Sequence, residues 1–188
     1  MMQGLWQKKL ELKYDKDVID IVQFGSSLMY NQKANDLDIA VIYNKIPIKE
    51  QLKQSQEIKK QLQKISEIPV HINSFDLYSL LERSNFSKEG ILFYGRSLIT
   101  KRYFAESMGF QPKIQIRYSL KNLKKKEKVR FHYSLQGKKG KYGLLRKYGG
   151  KLINPGLIEI PPEYEYLFSE AIRRITDKFT IRRVLLAV

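Results

Sequence analysis

The spacing of apolar residues differs between the two halves of the chain. In the first half, short apolar runs alternate with segments in which apolar residues recur every three or four positions, which predicts strands alternating with helices. We predict strands at 17–25, 36–43 and 70–75, helices at 49–66 and 77–84, a short helix or arm at 4–16, a turn or short helix at 26–33, and a helix end or short strand at 91–95. This order predicts a mixed sheet with the strand at 36–43 near its centre.

The second half is interrupted by glycines and contains shorter apolar segments. We predict strands at 113–118, 128–135 and 157–160, a lysine-rich turn at 121–128, and an amphipathic helix at 162–178. Gly109 and Pro112 interrupt the pattern, so we place the domain boundary between residues 108 and 109. We therefore expect the α+β class, with a mixed sheet flanked by helices in domain 1–108 and a small basic α+β module at 109–188.

Positive charge is concentrated in the second half. The net charge is +16, and residues 113–151 contain fourteen Lys or Arg and one acid, whereas residues 1–104 carry only +4. Basic side chains neutralise phosphates and the interspersed aromatic rings stack on unpaired bases, so we predict nucleic acid, and RNA above all, as the partner. The residues that we expect to bind it are Lys121, Lys124, Lys125, Lys126, Lys128, Arg130, Lys138, Lys139, Lys141, Arg146 and Lys147.

Two short motifs in the first half indicate a site for a phosphate and a metal ion. The strand predicted at 17–25 ends at Gly25-Ser26-Ser27, where the backbone can turn sharply and offer N–H groups and hydroxyls to a phosphate. Asp36 and Asp38 lie two positions apart on the next strand, so their carboxylates point to the same side. Neighbouring carboxylates repel each other unless a cation lies between them, and Mg²⁺ bound also to substrate phosphates is the usual one.

An apolar strand, Gly25-Ser26, a short spacer and Asp36-x-Asp38 on the next strand together resemble the minimal nucleotidyltransferases of the DNA polymerase beta superfamily. The resemblance covers about residues 17–100, including the stretch from Lys88 to Gly95, and leaves the basic half unassigned. It implies that Asp36 and Asp38 bind two Mg²⁺ ions on a nucleoside triphosphate, while Gly25, Ser26 and Ser27 contact its phosphates. A hydroxyl would then attack the α-phosphorus and release pyrophosphate, with the metal ions stabilising charge on the attacking and leaving oxygens.

Members of the superfamily carry a third acidic residue on the following strand, where this chain has His71. His71 is the candidate for the third catalytic position, and Asn73 and Asp76 are the alternatives. Three functions follow from these observations: a nucleotidyltransferase acting on RNA or another polynucleotide, a decayed transferase scaffold that only binds RNA or DNA, and a transferase that modifies a protein partner, as in toxin–antitoxin pairs.

The composition of the chain bears on its cellular location. The chain has no cysteine, which excludes disulfides and thiolate metal sites. No apolar run approaches 18 residues, and the N-terminus is too polar for a secretory signal. We expect a soluble, cytoplasmic protein that does not bind membranes.

Overall fold

The computed structural model describes residues 4–138 and 141–188. The chain forms two compact units. The first extends to Gln111 and also includes Ala187–Val188, and the second is Pro112–Leu186. Each unit contains helices and most of one four-stranded sheet, which confirms the α+β class.

The first unit contains a mixed sheet with the strand order β3-β2-β1-β4. Strand β2 pairs antiparallel with β1 and parallel with β3, so it is internal, as the sequence predicts. The elements are β1 (Val18–Phe24), β2 (Leu37–Tyr43), α1 (Ile48–Gln63), β3 (Val70–Asp76), α2 (Leu77–Leu81) and β4 (Arg96–Ser97). A turn of 3₁₀-helix at Ser26–Leu28 follows β1, and a π-helical turn at Gly90–Tyr94 precedes β4.

Two apolar layers cover the two faces of this sheet. On one face, Ile39 and Val41 of β2 pack in one cluster with Ile58 and Leu62 of α1. On the opposite face, the alternate side chains of β1 and β2 form a second cluster with Leu80, Ile91 and Phe104. Because successive side chains of a strand point to opposite faces, Asp36 and Asp38 lie on the side of the second cluster.

The second unit contains a sheet with the order β6-β7-β5-β8. Its elements are β5 (Phe110–Tyr118), α3 (Lys125–Gln136), α4 (Leu144–Lys147), β6 (Lys151–Asn154), β7 (Leu157–Ile160), α5 (Glu165–Arg173) and β8 (Phe179–Ala187). Strand β7 pairs antiparallel with both β5 and β6, and a 3₁₀ turn at Pro162–Tyr164 leads into α5.

The strand predicted at 128–135 is wrong, because these residues belong to helix α3. Val129, Phe131, Tyr133 and Leu135 alternate with polar residues, which imitates a strand. On the helix they separate into two pairs four residues apart: Phe131 and Leu135 are buried, while Val129 and Tyr133 are exposed. The backbone N–H of Lys124 donates to Glu127 Oε2 at 2.8 Å, which helps to start the helix where a turn was expected.

Other boundaries also differ from the predictions. Helix α2 ends at Leu81 rather than 84, and the segment 4–16 contains one 3₁₀ turn at Leu5–Gln7. The helix predicted at 162–178 is shorter, ending as α5 at Arg173, and strands β6 and β8 were not predicted. Within residues 4–138 and 141–188, no helix combines the length and the apolar character that crossing a membrane requires.

Candidate active site

The bend after β1 lies directly against the carboxylate of Asp38. Phe24, the last residue of β1, is the cross-strand partner of Asp38, so Gly25 begins the bend beside that side chain. Gly25 has φ of 78° and ψ of −161°, a conformation that is accessible essentially only to glycine. A Cβ atom at this position would collide with Oδ2 of Asp38. The glycine therefore permits both the turn and the close approach of backbone and carboxylate.

The two acids lie on one side of β2, as their spacing predicts. Asp36 immediately precedes the strand and Asp38 is its second residue. Leu37 between them is only 4% exposed and packs in the opposite layer with α1. The burial of Leu37 fixes the rotation of the strand, because turning the acids away would move this leucine into solvent.

Strand β3 brings His71 to the same place. In the parallel pairing of β2 and β3, His71 is the partner of Asp38. Its Nδ1 atom lies 3.4 Å from Oδ2 of Asp36, and its side chain is 59% exposed. One potential ligand atom from each of Asp36, Asp38 and His71 lies within 4.8 Å of the others. These three residues, which we call the Asp–Asp–His cluster, could hold a metal ion.

The electrostatics of the Asp–Asp–His cluster fit a cation. Burial raises the pKa of Asp38 above its ordinary value, the negative charge of Asp36 raises it further, and His71 acts in the opposite direction. Ionised Asp38 therefore has too little compensating positive charge, which a bound divalent cation would supply. Two carboxylates suit hard cations such as Mg²⁺ and Mn²⁺, whereas an imidazole favours Mn²⁺ and the later transition metals over Mg²⁺.

The apolar layer beside the cluster accounts for this burial. Phe24 lies next to Asp38 across the strand pair, and the π-helical turn packs on Phe24, since a Cβ at Gly90 would lie 3.5 Å from its ring. Ile91 of the same turn is fully buried. The sequence pattern alone indicates no role for Phe24 at this site. Strand alternation alone does not show that Phe24 and Asp38 share a face, because this also depends on the register between β1 and β2.

The serines of the bend differ in their surroundings. Ser26 is exposed at the first position of the 3₁₀ turn. The hydroxyl of Ser27 accepts from Gln23 Nε2 at 2.9 Å and donates to the carbonyl of Phe24 at 3.3 Å. Ser27 also lines a small cavity together with Leu37, on the side of the sheet opposite the acids. A contact between Ser27 and phosphate therefore stays a prediction and would run through its backbone N–H.

The two alternatives to His71 occupy different places on β3. Asn73 is exposed and pairs with Ala40, one step further along the face that carries His71. Asp76 pairs with Tyr43 at the far end of the strand, about 16 Å from His71 at the usual rise per residue. Its carboxylate accepts from the backbone N–H of Ser79 at 2.8 Å and caps α2. Asp76 is therefore not part of the Asp–Asp–His cluster.

The basic residues of the second unit lie mostly at the surface. Lys128 is half-buried, Lys139 lies outside the described residues, and the others are exposed, namely Lys121, Lys124, Lys125, Lys126, Arg130, Lys138, Lys141, Arg146 and Lys147. Arg146 and Lys147 lie over the rings of Tyr142 and Tyr148, at 4.3 and 5.2 Å from the ring centroids. Cations and aromatic rings therefore share this surface.

The identity of the third ligand leads to a prediction about metal preference. Replacing His71 with Asp should strengthen Mg²⁺ binding roughly tenfold or more, because a third negative charge a few ångströms away attracts the cation strongly even in a partly solvated site. The unmodified protein should bind Mn²⁺ more tightly than Mg²⁺. Calorimetric titration with each ion measures both effects. Asn73→Asp is the matched control, because it adds the same charge one step further along the strand, and an equal gain there would contradict a ligand role for position 71.

No protein-family model matches the sequence, and no match was found among curated proteins or solved structures. The resemblance to the polymerase beta superfamily therefore stays a prediction from the motif of Gly25-Ser26 and Asp36-x-Asp38.

Proposed function

We propose that the protein is a metal-dependent nucleotidyltransferase that transfers a nucleoside monophosphate from a nucleoside triphosphate to a polynucleotide, with RNA as the acceptor. The observation that carries this proposal is the convergence of Asp36, Asp38 and His71 beside a glycine bend whose backbone contacts Asp38. A cation site against an exposed backbone turn is the arrangement that a triphosphate requires, since its oxygens bind both metal and N–H donors.

In the proposed reaction, Asp36 and Asp38 hold the divalent cation, and the bend at Gly25 and Ser26 holds the triphosphate. A bound cation would lower the pKa of the attacking hydroxyl and neutralise charge on the pyrophosphate that leaves. The acceptor oxygen forms a bond to the α-phosphorus while the bond between this phosphorus and the β-phosphate bridging oxygen breaks. His71 lies where it could bind the cation or accept the proton of the hydroxyl. The apolar layer at Phe24 limits the access of water from behind Asp38.

The basic second unit supports a polynucleotide acceptor. Residues 113–151 carry a net charge of +13, and most of the basic side chains described there are exposed. A charge of this density attracts a phosphate backbone at distances up to about a Debye length, which is about 8 Å at physiological ionic strength. A small acceptor would make no use of so extended a surface.

The proposal is tested by incubating the full chain with each NTP in turn, labelled on the α-phosphate, together with Mn²⁺ or Mg²⁺ and bulk RNA. We expect label in the RNA and release of unlabelled pyrophosphate. The same NTP labelled on the γ-phosphate should leave the RNA unlabelled, and EDTA should stop the reaction. Absence of label in RNA with all four NTPs would contradict the proposal. Label that appears in an added protein instead of RNA would favour the alternative of a transferase that modifies a protein partner, as in toxin–antitoxin pairs.

One observation favours a second candidate, a nucleic-acid-binding protein built on a decayed transferase scaffold. The position facing Asp38 on β3 holds an imidazole rather than a third carboxylate. This candidate predicts salt-dependent RNA binding without metal-dependent transfer, and the labelling experiment distinguishes the two.

A further inference from the structure

The second unit contains a groove of about 800 Å³ that no proposed role uses so far. Helix α3 forms one wall, with Lys128, Val129, His132 and Tyr133. The end of β5, the loop that follows it, strand β6 and the β6–β7 turn form the other walls, with Tyr118, Lys121, Leu152, Pro155 and Gly156. Its volume falls within the range of about 300–1,000 Å³ that is typical of ligand sites.

The wall formed by α3 follows from the two faces of this helix. Phe131 and Leu135 pack inward and hold the helix on the unit. Val129 and Tyr133, on the other face, are 43% and 44% exposed and line the groove. Leaving apolar side chains exposed in a concave site forgoes the free energy that their burial would supply. Such exposure therefore indicates a surface that binds a ligand or another macromolecule.

The opposite side of the groove is held in place by specific contacts. The ring of Tyr118 packs edge-on against Phe131, with centroids 5.3 Å apart and an angle of 89° between the planes. The backbone N–H of Tyr118 donates to the carbonyl of Gly156 at 2.8 Å, which ties the β6–β7 turn to β5. Gly156 has φ of 90°, and a Cβ there would lie 2.8 Å from the carbonyl oxygen of Tyr118. The groove is thus preformed rather than dependent on a ligand.

Charge at the groove is positive. Lys121 and Lys128 line it, and the described residues that line it include no acid. Nζ of Lys138 lies 5.7 Å from the centroid of the Tyr133 ring, so positive charge also reaches this exposed tyrosine. A second hollow of about 470 Å³ shares Tyr118 and Gly156 with the groove and adds Arg117, Lys178 and Phe179, together with Asp177. Cations and aromatic rings therefore continue along the same side of the unit.

We propose that this groove binds unpaired nucleotides of single-stranded RNA, with a base stacked on Tyr133 and neighbouring phosphates at Lys121 and Lys128. The inference rests on the polynucleotide acceptor of the proposed function and names the strand state that the second unit recognises. An apolar peptide would suit the aromatic wall but not the lysines, whereas a nucleotide has a flat apolar face and an anionic phosphate a few ångströms apart. Bases within a duplex are stacked on each other and cannot enter such a groove, so the site selects single strands.

The test compares two fluorescent RNAs of ten nucleotides, one unpaired and one annealed to its complement, by anisotropy in EDTA without NTP. Tyr133→Ala should weaken binding of the single strand roughly 5- to 150-fold, which corresponds to loss of one base–aromatic stack, and should change duplex binding little. Tyr133→Phe, which keeps the ring, should restore the affinity. Tyr166→Ala is the matched control, because Tyr166 is a 51% exposed tyrosine of the same unit that does not line the groove.

Two results would overturn the inference: single-strand affinity unchanged in Tyr133→Ala, as expected if the groove takes an apolar peptide, or equal loss of single-strand and duplex affinity. Circular dichroism confirms that each variant is folded. The measurement contains neither metal nor NTP, so it is independent of catalysis. If Tyr133→Ala weakens single-strand binding but the protein shows no nucleotidyl transfer, this inference holds and the proposed enzymatic function is contradicted. If the protein transfers nucleotides but Tyr133→Ala leaves RNA affinity unchanged, the proposed function holds and this inference is contradicted.

Discussion

Replacing Asp38 with Asn is expected to reduce nucleotidyl transfer roughly a thousandfold or more. The amide keeps the size of the side chain but removes the charge that would hold the proposed cation, and metal stabilisation of the transition state is worth several kcal/mol. The measurement is the rate of incorporation of α-labelled NTP into RNA. Glu67→Gln is the control, because Glu67 is an exposed acid of the same unit in the loop before β3 and lies outside the Asp–Asp–His cluster, so the rate should be unchanged.

The same variant should not unfold the protein. Because the pKa of Asp38 is raised in the folded state, the proton on this carboxyl favours folding. That contribution is complete below the ordinary value of 3.8 and is lost as the pH rises through the raised pKa. Asn is neutral at every pH, so the Asp38→Asn variant keeps this stabilising contribution at every pH. The thermal midpoint of Asp38→Asn without metal should therefore equal or exceed that of the unmodified protein at pH 7, with a smaller difference in acid. Undiminished transfer by the folded variant would contradict the role of Asp38.

Replacing Gly25 with Ala is expected to reduce transfer roughly a hundredfold or more. The new Cβ must displace the carboxylate of Asp38, and a displacement of about 1 Å in a catalytic group can cost that much. The variant should still fold, since a non-glycine residue in this backbone conformation costs on the order of 1–3 kcal/mol, below the total stability of most domains. Rates of transfer and Mn²⁺ affinity measured on the same preparation report the loss.

Gly109 offers a control for the positive φ alone. Its φ is 79° against 78° at Gly25, but its ψ of 22° is that of the left-handed helical region rather than −161°, and no described atom lies within 4 Å of where its Cβ would be. Gly109→Ala should lower the thermal midpoint by several degrees and leave transfer intact. If the two variants lose activity equally, the contact with Asp38 is not the reason. A double-mutant cycle adds a second check, because the stability cost of Gly25→Ala should shrink when Asp38 is already Ala.

The first sheet was predictable because its signals are strong and local. Five of the seven residues of β1 and six of the seven of β2 are apolar, as is typical of internal strands, and buried Ile58 and Leu62 lie four residues apart in α1. The second unit was less predictable. In α3, the strand-like alternation of Val129 to Leu135 arises because the helix has two apolar faces, one toward the core and one toward the groove. Only the tertiary structure separates these two interpretations.

The candidate site also has some features that the sequence predicts and others that depend on the tertiary structure. The spacing of Asp36 and Asp38 was enough to place both on one face, since strand alternation is a local property. Their proximity to Gly25 and His71 depends on the register between strands, which spacing along the chain does not determine. His71 was a candidate by analogy with a third acid, and its pairing with Asp38 is what brings it into the Asp–Asp–His cluster.

The most direct test of the central claim is a crystal of the protein grown with Mn²⁺ and a non-hydrolysable NTP, with diffraction recorded at the manganese absorption edge. We predict an anomalous peak within bonding distance of carboxylate oxygens of both Asp36 and Asp38, with the triphosphate against Gly25 and Ser26. A well-ordered nucleotide and manganese bound elsewhere, with the Asp–Asp–His cluster empty at saturating Mn²⁺, would contradict the proposed enzyme.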